Sequence, residues 1–330
     1  MQQIQAMAPG LVRKCSVTMW LCLTIMGLLP GWAAAVNISD LYVATVRVTD
    51  RSEAARSLAV SDALGVVLAK LSGQQDKSIR LATAQTNVTR LVQRVGYVAG
   101  GQLEVGFDST AINALLEQAG LPLWDRIRPV TLIVLPAALQ AMSDMRATVE
   151  QTARDRGLPL VWSTAESSEQ FSINSLAQIQ ALARQYQTES VLLARTQSID
   201  SGATNLRWQL VFHGTSQEMS GGVAEGPGFA AEQISRYYAV SGRQTSRQIM
   251  EVAGVDTVEA YASALNYLTG LLMVRSVSMQ SLQGDVVRLQ VELRGNQDSL
   301  QRVLSVEQIL IAQPSSTAEA SATLSYRYKH

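Results

Sequence analysis

Residues 130–135 read Val-Thr-Leu-Ile-Val-Leu and stand between Pro129 and Pro136. A short apolar run rich in β-branched residues is the pattern of a strand covered on both faces. Proline lacks an N–H donor, so ladder pairing ends sharply on either side. Such a strand needs a layer above and a layer below, and the following residues supply them. Residues 142–156 have helical period and are stopped by Gly157 and Pro159, after which Leu160-Val161-Trp162 reads as a second strand. This alternation predicts an α/β unit. It continues with a helix capped within 172–175 and running to Tyr186, then strands at 190–196 and 206–213 around the turn Asp200-Ser201-Gly202. A third hairpin strand is expected at 217–224, then a helix over 229–240 with Pro227 at a tolerated early position. Residues 126–243 therefore form a central module.

The flanking stretches have their own rhythms. In residues 36–125, a strand at 41–48 precedes a helix capped by Asp50 or Ser52 and ended by Ser72-Gly73. Ala55, Leu58, Ala59, Leu64, Val67, Leu68 and Leu71 form its expected core stripe. A second helix is expected over 79–95, a strand over 102–107, and a helix over 111–119 closed by Gly120-Leu121-Pro122. Residues 244–330 read as a strand (247–252), a helix (256–271), two strands (273–282 and 286–293) around Gln283-Gly284-Asp285, a short helix (298–304), and strands at 306–311 and 324–328. The helix over 256–271 places Val258, Tyr261, Ala262, Leu265, Leu268 and Leu272 on or near one face. This is a ferredoxin-like order. The expected fold class is α/β and α+β: three small modules in tandem.

The chain of 330 residues is too long for one ordinary core. Its 27 basic and 27 acidic residues balance, so no net field draws it to nucleic acid or to an anionic membrane. The arginines are scattered without a basic stripe, which argues against a nucleic-acid partner. Arg13 and Lys14 precede an apolar run at 19–29, followed by Pro30-Gly31 and by Ala33 and Ala35. That is the pattern of an export leader over residues 1–35, cut after Ala35 to leave Val36 as the new N-terminus in the periplasm. The run is shorter than the ~20 residues needed to span a bilayer, so membrane attachment is expected only through an uncleaved leader. Cys15 and Cys22 both lie in this leader, and Cys22 follows Leu21 rather than the small residue of a lipoprotein site. The mature chain then has no cysteine, which excludes disulfides, thiolate nucleophiles and cysteine metal sites.

The strand at 41–48, the run Ser52-Glu53-Ala54-Ala55-Arg56, Ala63-Leu64 and Leu71-Ser72-Gly73 form a recognisable set. Arg156-Gly157-Leu158-Pro159-Leu160, the strand at 190–195, Trp208, and Tyr261 with Tyr267-Leu268 extend it. Together they resemble the secreted proteobacterial family called domain of unknown function 2066, over most of the mature chain. The resemblance implies an architecture and an envelope address. Ala59–Leu64 carries the wording Ala-x-x-Asp-Ala-Leu, which is similar to flagellar-basal-body and envelope accessory proteins. The middle module looks like the N-terminal domain of the Tol-system propeller protein or of lipoprotein activators of peptidoglycan synthases, which implies a binding role. The chain departs from those activators in lacking a lipidated cysteine.

Side chains able to carry chemistry are few. His213 and His330 are the two histidines, and His213 reads as a strand-end surface residue outside any zinc or triad motif. The run Gly221-Gly222-Val223-Ala224-Glu225-Gly226-Pro227-Gly228 fits neither phosphate-binding glycine motif and reads as a turn before a helix. Asp144, Glu150 and Asp155 share a helix at spacings that keep any two from meeting at i, i+4, and Glu166 and Glu169 fall in a serine-rich loop. Trp208 alternates with Leu206 and Leu210 and reads as core, whereas adjacent Tyr237 and Tyr238 cannot both face inward. Arg126 and Arg128 before the central strand, with Arg154 and Arg156 at the end of the next helix, form the candidate patch for an anionic partner. No catalytic residue, cofactor or metal site is assigned. The expected function is a non-catalytic periplasmic adaptor or scaffold that binds another envelope protein. The alternatives are a small-ligand or glycan binder at the C-terminal ends of the central strands, near residues 135–138 and 162–164, and a carboxylate-based envelope hydrolase.

Overall fold

Three larger sheets follow one another along the chain, with two two-stranded pairings beside them, in a computed structural model that describes residues 35–164, 175–200, 203–241, 245–313 and 323–329. Residues 1–34 of the expected leader, the residues 165–174 that include Glu166 and Glu169, residues 201–202 of the expected turn, and His330 lie outside the described residues. The fold is mixed α/β and α+β, as the alternation of periods implies.

The first sheet begins after β1 (Ala35–Asn37) and contains β2 (Val43–Arg47). Next comes α1 (Glu53–Ser72), whose Ser52 side chain accepts the Ala55 N–H and whose end is set by Gly73 at φ 72°. Asp50 accepts the Ser52 N–H at 2.7 Å, so both proposed capping residues take part. α2 (Gln75–Thr83) and a 3-10 turn lead to β3 (Val92–Val98), β4 (Gln102–Phe107), α3 (Ser109–Ala119) and β5 (Pro122–Leu123). The helix expected over 79–95 is thus overturned: it stops at Thr83, and Val92, Val95 and Val98 belong to a strand. β4 lies between β2 and β3 in an antiparallel sheet. Pairing both of its edges outweighs the helical spacing of the valines, and β-branched side chains suit a pleated surface. The stripe on α1 is also corrected. Leu58 is 69% exposed, whereas residues 63–65 and 67–72 are buried. Burial on α1 is concentrated in its last turns, while its first turns are largely exposed apart from Ala59.

The central sheet holds β7, preceded by β6 (Ile127–Pro129), which pairs with β1. β7 (Thr131–Val134) runs parallel to both β8 (Leu160–Trp162) and β9 (Ser190–Asp200), with α4 (Ala137–Gln140), α5 (Ser143–Arg156) and α6 (Leu176–Gln185) between. β10 (Ala203–Phe212) and β11 (Thr215–Gly221) extend the sheet as an antiparallel meander. Alternation sends Ile133 and Leu135 into one core with Val149 and Ala153 of α5 and Trp208. Leu132 and Val134 enter a second core with Ile179 of α6. Both faces of β7 are covered, as its unbroken apolar run requires.

α7 (Glu225–Tyr238) and β12 (Val240–Ser241) close this part. The glycine run at 221–228 is more than a turn, since α7 already starts at Glu225. A Cβ on Gly226 would come within 2.3 Å of the Trp208 ring, so the bare glycine lets α7 lie against that buried indole.

The last sheet contains β13 (Thr245–Ala253), α8 (Val258–Gly270), β14 (Val274–Gln283), β15 (Val286–Arg294), α9 (Gln297–Glu307), β16 (Leu310–Ala312) and β17 (Thr323–Tyr328). Its strand order is β14-β15-β13-β17-β16. The first three strands keep the ferredoxin-like arrangement, but β17 takes the place beside β13 and runs parallel to it. Leu324 and Tyr326 of β17 are buried while Ile311 of β16 is exposed. The strand with two core-facing side chains therefore takes the inner position. Val306, expected in a strand, is the buried last turn of α9, and Val258, expected on the core face of α8, is 77% exposed. Met250, Val252, Leu289 and Val291 of this sheet share one continuous core with Trp208 and Ile133.

Substituting Gly226→Ala forces the new methyl group into the Trp208 ring, and overpacking of this kind costs about 1–3 kcal/mol. Gly222→Ala meets open space. Chemical denaturation is expected to show a loss of that size for G226A and a change within about 0.5 kcal/mol for G222A.

Candidate functional site

The candidate arginines do not form one surface. Arg128 is fully buried, with 0% of its area exposed. Its Nε donates to Asp125 O at 2.8 Å. Nη1 donates to Gly157 O at 2.7 Å and Arg156 O at 3.3 Å, and Nη2 to Lys70 O at 2.8 Å and Trp124 O at 3.2 Å. The guanidinium carbon lies 3.8 Å from the centre of the Trp124 ring. Lys70 lies in the last turn of α1, Arg156 ends α5 and Gly157 follows it, where helix carbonyls lack partners and the dipoles present negative charge. One planar cation thus caps two helices. Burial pulls its pKa down to about 9, opposed by the field of Asp125, so it remains a cation at neutral pH. Gly157 sits at φ 59°, and a Cβ there would be 2.2 Å from Arg128 Nη1. Both the conformation and the space require glycine.

Arg156 is buried as well. Its Nη2 donates to Gly73 O at 2.8 Å and its Nη1 to the side chain of Gln75, joining α5 to the corner between α1 and α2. Asp125 is a buried carboxylate that accepts the N–H groups of Arg126 and Leu272, each at 2.7 Å, and burial raises its pKa. Arg126 is half-buried, and its carbonyl receives the Ile38 N–H at 2.9 Å. Of the four, Arg154 alone has a largely exposed side chain; it reaches Gln151 at 2.9 Å and Glu150 at 4.0 Å. The surface patch expected from these arginines is therefore corrected. Unpaired carbonyls at helix ends draw Arg128 and Arg156 inward, where neither can meet a partner.

The geometry brings a different group together. One face each of α1, α2 and α7, with the end of α5, encloses a cleft of about 710 Å³. From α7 come Glu225, Gly228, Phe229 and Glu232, spaced i, i+3, i+4, i+7; from α2 come Gln75, Ile79, Ala82 and Thr83. Val66, Ile79, Phe229 and Met219 give it apolar walls, and Asp62, Asp155, Glu225 and Glu232 give it carboxylates. Arg156 also lines it. Burial pushes the Asp155 carboxyl up, against a hydrogen bond from Gln151 at 2.9 Å and the fields of Lys70 and Arg154. Glu232 is paired with Arg236 at 2.7 Å. Among the described residues, Asp62, Asp155 and Glu225 have no basic group within ion-pair distance.

Other expected positions are occupied by internal contacts. At the ends of the central strands, Gln140 donates to Ser163 O at 3.0 Å, and Thr164 N–H to the Tyr186 hydroxyl at 2.7 Å. Glu150 accepts from Arg146 at 3.0 Å and from the Trp162 indole at 3.1 Å. His213 lies in the turn after β10 at φ 47°, with Nε2 3.2 Å from the Tyr238 hydroxyl and 3.6 Å from Glu189. Tyr238 is buried and Tyr237 exposed, as their adjacency demands.

Residues 35–125, from β1 to just beyond β5, match the family described as "Domain of unknown function (DUF8605)". This is not domain of unknown function 2066, and that resemblance is corrected. It rested on core and turn residues that many α/β units need. No curated protein and no solved structure matches the chain.

Replacing Arg128 with Met keeps a stem of similar length and leaves buried carbonyls without a donor. Breaking a buried charged network of this kind costs roughly 3–5 kcal/mol. Arg128→Lys is expected to recover less than half of that loss, because an ammonium cannot reproduce the flat fork. Denaturant midpoints for both variants check the order: parent, then Lys, then Met.

Proposed function

We propose that the chain is an exported adaptor of the cell envelope that performs no catalysis and holds a segment of another envelope protein in the cleft between α1, α2, α5 and α7. The observation that carries this reading is the cleft itself. Regular helix faces build it, and tertiary contacts fix those helices, so it is formed before any partner arrives. Its volume falls within the ~300–1,000 Å³ usual for binding sites. Apolar walls supply burial and a few carboxylates supply orientation. Export is supported by Arg13-Lys14, the apolar run at 19–29, and the alanines at 33 and 35. Among the described residues, no helix is long and apolar enough to cross a membrane.

A second reading, envelope hydrolysis, is favoured by one feature. Asp155 keeps its proton above the usual carboxylate range in a cleft that also holds Asp62 and Glu225. A carboxyl that holds its proton above the ordinary range is what the general acid of such hydrolysis uses.

The two readings part in one experiment. A photo-crosslinking amino acid replaces Ile79, which lies in the cleft and is 48% exposed, and in a control replaces Met279, exposed on β14. The adaptor reading expects one discrete envelope protein to be captured in cells from position 79 and not from 279, with no turnover of peptidoglycan fragments by the purified protein. Turnover that disappears in Asp155→Asn, or no capture from position 79, would overturn it.

A further inference from the structure

We infer that the segment seated in this cleft is basic: an apolar anchor flanked by lysine or arginine. The inference rests on the adaptor reading and adds the chemistry of the partner. The chain as a whole is electrically balanced, with 27 groups of each sign, so an excess of carboxylates in the cleft is a local arrangement. Asp62, Asp155, Glu225 and Glu232 face one guanidinium, Arg156, and both terminal nitrogens of that group are engaged by Gly73 and Gln75. Glu232 has its own cation in Arg236. The remaining three do not, although cations are common elsewhere on the molecule.

A solvated acidic face would explain exposed carboxylates. It does not explain Asp155, which is partly desolvated and receives its one direct hydrogen bond from a neutral amide. The fields of Lys70 and Arg154 reach it without offsetting its burial and neither forms an ion pair with it, so a ligand cation in direct contact would stabilise it. Val66, Ile79 and Phe229 beside these acids offer contact to an apolar side chain. Apolar walls and acids without ion-pair partners together describe the complement of a basic peptide better than that of a sugar or an anion.

Fluorescently labelled peptides test this with the purified protein: one alternating Leu and Phe with Lys, a second with Gln for each Lys, and a third with Glu. The Lys peptide is expected to bind at least about tenfold more tightly than the Gln peptide, the equivalent of about 1.4 kcal/mol. Raising the salt from about 0.05 M to about 0.5 M should remove most of that margin, because screening lengths shorten to a few ångströms. The combined variant Asp62→Asn, Asp155→Asn, Glu225→Gln should lose the preference, and its thermal unfolding shows whether it folds. If it does not fold, Asp62→Asn and Glu225→Gln are measured singly, and each should lower the Lys-peptide affinity while leaving the Gln-peptide affinity unchanged. Equal binding of Lys and Gln peptides, a margin indifferent to salt, or no binding of any peptide overturns the inference. Capture from position 79 of a partner whose cross-linked segment is neutral or acidic would sink this inference and leave the adaptor reading intact. No capture at all would sink the adaptor reading.

Discussion

A single buried guanidinium holds the ends of two helices and the linker between sheets. Taking a cation wholly out of water costs several kcal/mol, which only dense hydrogen bonding can offset. Arg128 meets that demand with five backbone carbonyls and the face of Trp124. The carbonyls gain as much as the cation, because those at the ends of α1 and α5 have no partner within their own helices. Neighbouring contacts extend the junction. Trp124 N–H bonds Leu71 O at 2.7 Å, and buried Lys70 donates to Asp40 O and Val43 O. Asp125 reaches across to Leu272, just before β14. Residues 124–128 therefore touch the parts of the chain that carry all three sheets.

The cleft follows from this junction. Arg128 fixes where α1 and α5 end, and Arg156 then ties the end of α5 to Gly73 and Gln75. That tie sets the corner from which α2 departs, and α2 is one wall of the cleft. Gly226 lets α7 settle on Trp208 and fixes another wall. The groups that face the opening are thus positioned by contacts buried behind it. Preorganisation of this sort lowers the ordering cost that a partner would otherwise meet.

Local chemistry made much of the fold readable. The prolines and the apolar run at 130–135 announced β7 and its two covered faces, and Ser52, Asp108 and Ser175 cap the helices they precede. What could not be read depends on distant partners. The valines of β3 fit a helix equally well until β4 offers an edge. Leu58 and Val258 obey helical spacing, yet both lie in the early turns of their helices and are left exposed. The inner place of β17 depends on a comparison with β16 that no local window contains. The arginines misled for a related reason. Their acceptors are backbone carbonyls, which leave no trace in residue identity, so Arg128 looked like surface charge. Trp124 four residues before it and Gly157 after Arg156 were the available hints, and neither is specific. The acids of the cleft come from three helices far apart in the chain, and no spacing rule unites Asp62 with Asp155 and Glu225.

The central claim is that the junction around Arg128 makes the three sheets open together. Native-state hydrogen exchange of two amides tests it most directly: Trp124, bonded to Leu71 O, and Leu272, bonded to Asp125. If the junction couples the sheets, both amides exchange through the same opening, with the free energy and denaturant dependence of global unfolding. Exchange of Leu272 through a separate, much smaller opening, while Trp124 stays protected, would contradict it.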